Sequence, residues 1–328
     1  MDYIQKFTGY IFLLLCACHV CLSVEIKILD SSRTELGEGP YWRYPNLYYT
    51  DLVTGNLYRH DTITNQTFRC KIHDENRTSF IIPYRKSKDL YVVGLGKKVA
   101  KIQWDGHSPH CKLIRILFEI RNKDKHIWIN DGKCVANGTL FTGSASCNFS
   151  RPYQNLYKYE GGGAPEIIKP NVSLSNGLAW NYKRSELYHV DSGANTITQF
   201  GFDQNGDITS NPKIVFKLDK RAISCSSEDM AVMDGMTIDT DGNLYVAIFG
   251  GKKVIKICTR KWTIIKIYEM PCAAVSSVSF GGPNMDILYV TSAANLLGLA
   301  RFPKPCGAVF SVHNIGAKGL RPDECSFT

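Results

Sequence analysis

The sequence predicts an all-β fold, a six-bladed β-propeller with a metal site in its axial channel. An apolar-aromatic pair recurs at a nearly even interval, alternating strands and Gly/Asn/Asp turns follow most copies, and oxygen-bearing side chains recur at one phase of the repeat. The pairs are Leu47-Tyr48, Leu90-Tyr91, Leu140-Phe141, Leu187-Tyr188, Leu244-Tyr245 and Leu288-Tyr289, at intervals of 43, 50, 47, 57 and 44 residues. A period in this range, built from short strands, suits one four-stranded blade. Two stacked β-sandwiches would use similar strands, but the even spacing favours a single closed ring.

In chain order, the first element is an apolar run from Tyr10 to Cys18, followed by small Cys21 and polar Ser23. The run is too short to span a bilayer and has the exit of a secretory signal, so residues 1–23 are expected to be a cleaved signal peptide. Residues 24–328 are then the propeller. In the first repeat Glu38 precedes Leu47-Tyr48, and Gly55-Asn56-Leu57-Tyr58 turns into a further strand. The second repeat runs from Leu90 through Lys98–Ile102, the third is built on Asn130 and Leu140, and the fourth on Asn176, Leu187 and Asn195–Phe200. In the fifth, Met233–Tyr245 reads as strand, Asp241-Gly242 hairpin turn, strand. The sixth passes through Phe280-Gly281-Gly282-Pro283 to Leu288-Tyr289.

Removing the signal takes away Asp2 and Lys6, so the net charge stays at +9, spread without a Lys/Arg block; no nucleic-acid partner is expected. Nine cysteines remain: Cys70, Cys111, Cys134, Cys147, Cys225, Cys258, Cys272, Cys306 and Cys325. An oxidising compartment pairs some of them, and an odd number leaves at least one unpaired. Sequons at Asn65, Asn76, Asn137, Asn148 and Asn171 fit a secreted, extracellular glycoprotein. No Gly-x-Ser-x-Gly elbow occurs. Asp239-Thr240-Asp241-Gly242-Asn243 lacks the closing Glu of a calcium loop and reads as a turn. His189 is expected to face a blade neighbour rather than a metal.

Glu38, Asn130, Asn176 and Asp234 lie 9, 10, 11 and 10 residues before the next repeated pair, each followed by Gly at the next position or the one after. Equivalent phase in a circular repeat means equivalent position, so four oxygen donors should converge at one end of the channel. One Asn-Gly alone would read as a turn. Two carboxylates and two amide oxygens suit a single hard divalent cation, calcium in a secreted protein, with magnesium, manganese and zinc as alternatives. The corresponding positions in the other two repeats, around Ser79-Phe80 and Ser277-Val278, offer no strong ligand.

Leu36-Gly37-Glu38-Gly39-Pro40-Tyr41-Trp42, Asn130-Asp131-Gly132-Lys133, Ser175-Asn176-Gly177-Leu178-Ala179-Trp180 and Asp234-Gly235-Met236-Thr237-Ile238-Asp239 resemble the regucalcin (senescence marker protein), gluconolactonase and luciferin-regenerating enzyme family. The resemblance spans about Leu36 to Lys318. It implies a six-bladed propeller in which Glu38, Asn176 and Asp234 bind one divalent metal and Asn130 contacts substrate or a metal-bound water. It further implies lactone hydrolysis, with the metal polarising the carbonyl and Asp234 also acting as base. Two positions depart from the sugar lactonases. Trp128 stands where they carry Arg, and Asn148 falls where they carry an acidic residue, so both are candidate substrate contacts and the substrate should be more apolar than a sugar acid. The sequence thus supports a metal-dependent lactonase acting on a small molecule. The alternative is a secreted metal-binding propeller that captures a ligand without turnover. No membrane anchor is expected once the signal is removed.

Overall fold

The computed structural model describes residues 23–30, 32–72, 77–121, 126–147, 152–203, 205–225 and 230–327. Residues 1–22 of the expected signal peptide 1–23, and the residues Asn76 and Asn148, lie outside the described residues. Strand β1 (Glu25–Asp30) comes first, followed by the meander β2 (Gly37–Arg43), β3 (Asn46–Asp51), β4 (Asn56–Asp61) and β5 (Gln66–Ile72). The next two meanders are β6 (Thr78–Pro83), β7 (Leu90–Leu95), β8 (Lys98–Gln103), β9 (His110–Glu119), and β10 (Ile127–Cys134), β11 (Leu140–Ser146), β12 (Gln154–Tyr159), β13 (Glu166–Val172). Then come β14 (Ser175–Asn181), β15 (Glu186–Asp191), β16 (Thr196–Gly201) and β17 (Lys213–Lys217). They are followed by β18 (Val232–Ile238), β19 (Leu244–Phe249), β20 (Lys253–Cys258) and β21 (Thr263–Glu269). The chain ends through β22 (Val275–Gly281), β23 (Ile287–Ser292), β24 (Asn295–Leu296), β25 (Ala300–Arg301) and β26 (Val309–His313). Among the described residues a single 3₁₀ turn, Lys220–Ile223, interrupts the strands, capped by the Asp219 side chain accepting from the Arg221 N–H.

The fold is all-β and propeller-like. Each repeated apolar-aromatic pair lies at or near the start of the second strand of its meander, and those strands are buried almost throughout, as in β11 and β19. A strand covered on both faces needs apolar side chains at both phases, which is why the pair is adjacent rather than alternating. The outermost strands are exposed and carry Lys or Arg, as in β9 and β21, which discourages pairing of their open edges with other chains. Asp239 holds its turn by accepting from the N–H groups of Asp241 and Asn243, and its other oxygen pairs with Lys256 at 3.0 Å.

Six separate sheets are not what forms. The described residues make four four-stranded sheets, one eight-stranded sheet and a two-stranded ribbon. The large sheet joins the meanders β2–β5 and β6–β9 through two parallel pairs, Lys71 with His110 and Ile72 with Cys111. The Cys70–Cys111 disulfide holds the two outer strands together at that join. The six innermost strands, β2, β6, β10, β14, β18 and β22, pack each on the next, and β22 returns to β2. Closure of the last sheet uses both chain ends, because β1 pairs antiparallel with β26, Glu25 opposite His313 and Ile26 opposite Val312.

Beyond β26 the tail crosses the face of the ring opposite the candidate site. Its backbone bridges Asp239 through Gly319, Cys134 through Asp323 and Tyr84 through Cys325, and the Cys134–Cys325 disulfide fastens it across 191 residues of sequence. The Cys272–Cys306 disulfide lies in the last sheet's connections, while Cys147, Cys225 and Cys258 remain free. A cross-link closing so long a loop is worth about 2–5 kcal/mol. Cys325→Ser is therefore expected to lower the thermal midpoint by several degrees and to expose the 315–327 segment to limited proteolysis; unchanged melting and cleavage would show that the tail holds without its bond.

Candidate metal and substrate site

The inner strands share one local irregularity. Pairing with the second strand slips between Glu38 and Tyr41, Thr78 and Ile81, Ile129 and Gly132, Ser175 and Leu178, Met233 and Met236, and Val275 and Val278. A bulge re-aims the side chain it carries, and each donor of the sequence pattern sits in one. The following glycine lets neighbouring inner strands approach the axis. A Cβ on Gly177 would stand 2.5 Å from the Met236 Cβ and 2.7 Å from the Asp234 carbonyl oxygen of the next inner strand. One on Gly235 would stand 2.6 Å from the Ser277 Cα.

Glu38, Asn130, Asn176 and Asp234 all line one cavity of about 170 Å³ at one end of the channel, and Trp128 lines it too. Asp234 is 7%, Asn176 5% and Trp128 3% exposed. Three hydrogen bonds order the amides. Trp128 Nε1 donates to Asn130 Oδ1 at 2.9 Å, Asn130 Nδ2 donates to Asn176 Oδ1 at 3.0 Å, and Asn176 Nδ2 donates to Ser192 Oγ at 2.9 Å. Asn176 Oδ1 thereby faces the donor group with a lone pair to spare. The Arg77 guanidinium carbon lies over the Trp128 ring, 4.4 Å from its centroid. Trp128, a candidate substrate contact by sequence, lines the cavity, and its N–H braces Asn130.

The carboxyls of Glu38 and Asp234 are both held well above their ordinary values, first by burial and then by neighbouring carboxylates, Asp234 and Asp131 for Glu38 and Asp131 for Asp234. Two desolvated acids beside a third form an electrostatic sink for a cation. Among the described residues no group of three or more His, Cys, Asp or Glu side chains gathers as a metal cluster. The fit rests on a mixed set, Glu38, Asp234 and the Asn176 amide oxygen, all hard donors of the kind calcium prefers.

The sequence pattern missed the buried pair Asp131 and Lys133, the Ser192 anchor and an apolar rim. Asp131, adjacent to Asn130, faces the opposite cavity of about 80 Å³ together with Lys133. One Asp131 oxygen accepts from the Gly132 N–H at 3.0 Å, the other is buried without a partner among the described residues, and burial raises its pKa against the charge of Lys133. Lys133 in turn donates to the Met236 carbonyl. Ser192, at the end of β15, anchors Asn176 and donates to the Met233 carbonyl. Met230 reaches the donor cavity from the connection before β18, and Leu296 and Leu297 reach it from β24 and the turn that follows. The two repeats without donors do not contribute their equivalent serines to it: Ser277 lines the opposite cavity, and Ser79 lines neither.

His189 is fully buried on β15, its Nε2 2.7 Å from the Ser175 Oγ of β14, so it faces a strand neighbour as expected. Burial, then the charge of Lys169, pushes its pKa well below 6.5. The folded protein keeps it neutral while the unfolded chain takes up a proton below about pH 6.5. Its contribution is therefore complete above that pH and is lost as pH falls. Between pH 7.5 and 5 the protein should therefore lose thermal midpoint relative to His189→Gln, the raised buried carboxyls being common to both.

Among proteins of known sequence, the family model described as "SMP-30/Gluconolactonase/LRE-like region" matches residues 36–294. A luciferin-regenerating enzyme structure superposes with a TM-score of 0.83 at 31% identity, over 93% of this chain and 100% of that one. Danio rerio regucalcin is 28% identical over 307 residues, 92% of this chain and 98% of its own length. A Bacillus subtilis protein provisionally named a sugar lactone lactonase is 31% identical over 291 residues, 85% of this chain and 91% of its own.

Proposed function

The chain belongs to the SMP-30/gluconolactonase/LRE-like family, and from that premise we propose that it is a secreted, divalent-metal-dependent hydrolase of lactones or cyclic esters. The convergence of Glu38, Asn176 and Asp234 on one cavity, with Asn130 braced beside them, carries the reading. The eight-stranded sheet counts as two blades, so the ring has six, and residues 24–328 form it after a signal peptide of residues 1–23. Three disulfides and exposed sequons at Asn65, Asn137 and Asn171 support secretion; Asn76 and Asn148 would add two further glycosylation sites.

Glu38, Asn176 Oδ1 and Asp234 would hold one divalent cation, calcium by the hardness of the set. When bound, such an ion polarises a carbonyl oxygen and acidifies water at neutral pH. Asp234 carries the second task, holding at its carboxylate the proton released by the attacking water and returning it to the leaving alkoxide. Asn130 is fixed by Trp128 so that its amide cannot turn, which keeps Asn176 Oδ1 pointed at the same place. The buried wall excludes bulk water from the carboxylates, which sharpens every charge interaction among them.

Hydrolysis of a lactone panel, with and without chelator and with calcium, manganese, zinc and magnesium restored in turn, tests the reading. Metal-restored turnover on at least one member is expected. Absence of metal-dependent turnover on every member would leave ligand capture by the same cavity as the function, and Asp234→Ala would then be expected to weaken ligand binding.

A further inference from the structure

We infer that the substrate is a five- or six-membered lactone bearing one alkyl substituent, not a polyhydroxylated sugar lactone; the inference rests on the lactonase reading above and names its substrate class. Hydroxyl groups need partners, and the side-chain N–H and O–H donors of the Trp128–Asn130–Asn176–Ser192 wall are already spent, which leaves few for a polyhydroxylated ring. The Trp128 N–H is spent on Asn130, the Asn130 amide N–H on Ser175 O and Asn176 Oδ1, and the Asn176 amide N–H on Ser192. The Ser192 hydroxyl itself donates to Met233 O. A sugar hydroxyl reaching this wall either stays unpaired or strips a partner from a buried group, at a cost of about tenfold in affinity or more for each.

The rest of the lining is apolar. Leu36, Leu52 and Phe249 are buried, and Leu174 and Val232 stand partly exposed beside them. On the open side are Leu296, Leu297 and Met230, the last 47% exposed. Size sets the geometry. A dry cavity of about 150 Å³ holds one benzene, so about 170 Å³ is filled by a lactone ring. A substituent must leave on the side of Met230 and Leu297, along apolar surface.

Initial rates on γ-butyrolactone, γ-hexalactone, γ-nonalactone and glucono-δ-lactone, each with calcium or manganese, test this. For the shorter chains kcat/KM should climb about threefold for each added methylene, and glucono-δ-lactone should lie at least about a hundredfold below γ-nonalactone. Leu297 already has a positive φ of 49°, a conformation Asn tolerates, so Leu297→Asn should fold and should flatten the rise with chain length. A flat chain-length series, or glucono-δ-lactone within tenfold of γ-nonalactone, overturns the inference and leaves the lactonase reading standing. If no lactone is turned over, that reading fails, and calorimetry with non-hydrolysable γ-alkyl lactams decides the ligand class. Binding that tightens with chain length upholds the apolar class, and binding that does not overturns it.

Discussion

Asp234→Asn should abolish metal-dependent lactone hydrolysis, lowering kcat/KM by about a thousandfold or more, and yet raise the melting temperature of the metal-free protein. The two effects share one cause. Asp234 and Glu38 are desolvated carboxylates whose pKa values are raised by burial and by neighbouring acids, so without a cation at least one of them opposes folding. Asn keeps the shape and removes the charge, relieving that repulsion, and it also removes the group proposed above as proton carrier and anionic ligand, a loss of about 10²–10⁴ in rate for a general base alone. Calcium at a hundred times its dissociation constant stabilises a native protein by about 2.7 kcal/mol. Asp234→Asn should lose most of that gain, so adding calcium or chelator barely moves its melting curve. Melting curves with and without chelator, beside metal content and lactone rates, check all three outcomes. A variant that kept the calcium-dependent shift and the activity would remove Asp234 from the site.

What the sequence revealed, and what it hid, follows from locality. Leu47-Tyr48 and its five counterparts were legible because a strand buried on both faces must be apolar at successive positions, and that demand repeats with the sheet. Glu38, Asn130, Asn176 and Asp234 were legible as a set because each lies in a bulge followed by glycine, a backbone requirement written in neighbouring residues. The join of β5 to β9 was hidden, since it depends on two outer strands, 41 residues apart at their cysteines, being drawn together by a disulfide. Closure by β1 on β26 was hidden because its partners, such as Glu25 and His313, lie near opposite ends of the chain. Asp131 was overlooked because a bulge breaks the two-residue alternation, and strand periodicity no longer tells toward which end of the channel the residue after Asn130 turns. The apolar rim of Met230, Leu296 and Leu297 belongs to connections that carry no repeat. Trp128 was noticed as a departure from a pattern, but that its N–H turns inward to Asn130 is a matter of rotamer, which no spacing encodes.

Gly177→Ala should destabilise the protein by about 2–3 kcal/mol and, in whatever fraction still folds, weaken metal binding by more than tenfold. The added methyl would meet the Met236 Cβ at 2.5 Å and the backbone of Met236 and Asp234 at 2.7 Å. Backbone cannot rotate aside as a flexible side chain can, so β14 and β18 must separate. Separation moves Asn176, one residue before the substitution, away from Asp234, and the donor set opens with the ring. Gly162→Ala serves as the control: φ there is +60° and no atom lies within 4 Å of the added methyl, so the cost should stay near 1 kcal/mol with metal binding unchanged. Denaturant midpoints and calcium titrations of the two variants separate crowding at the axis from glycine's backbone freedom alone. If Gly177→Ala behaved like Gly162→Ala, the inner strands would have room to spare, and the glycine after each donor would need another explanation. As the contacts stand, the glycine that lets the inner strands pack closely also brings Asn176 and Asp234 to the wall of one cavity. Ligand geometry and ring closure are therefore one constraint, and a substitution that loosens the strand packing should register in the chemistry as well as in the melting curve.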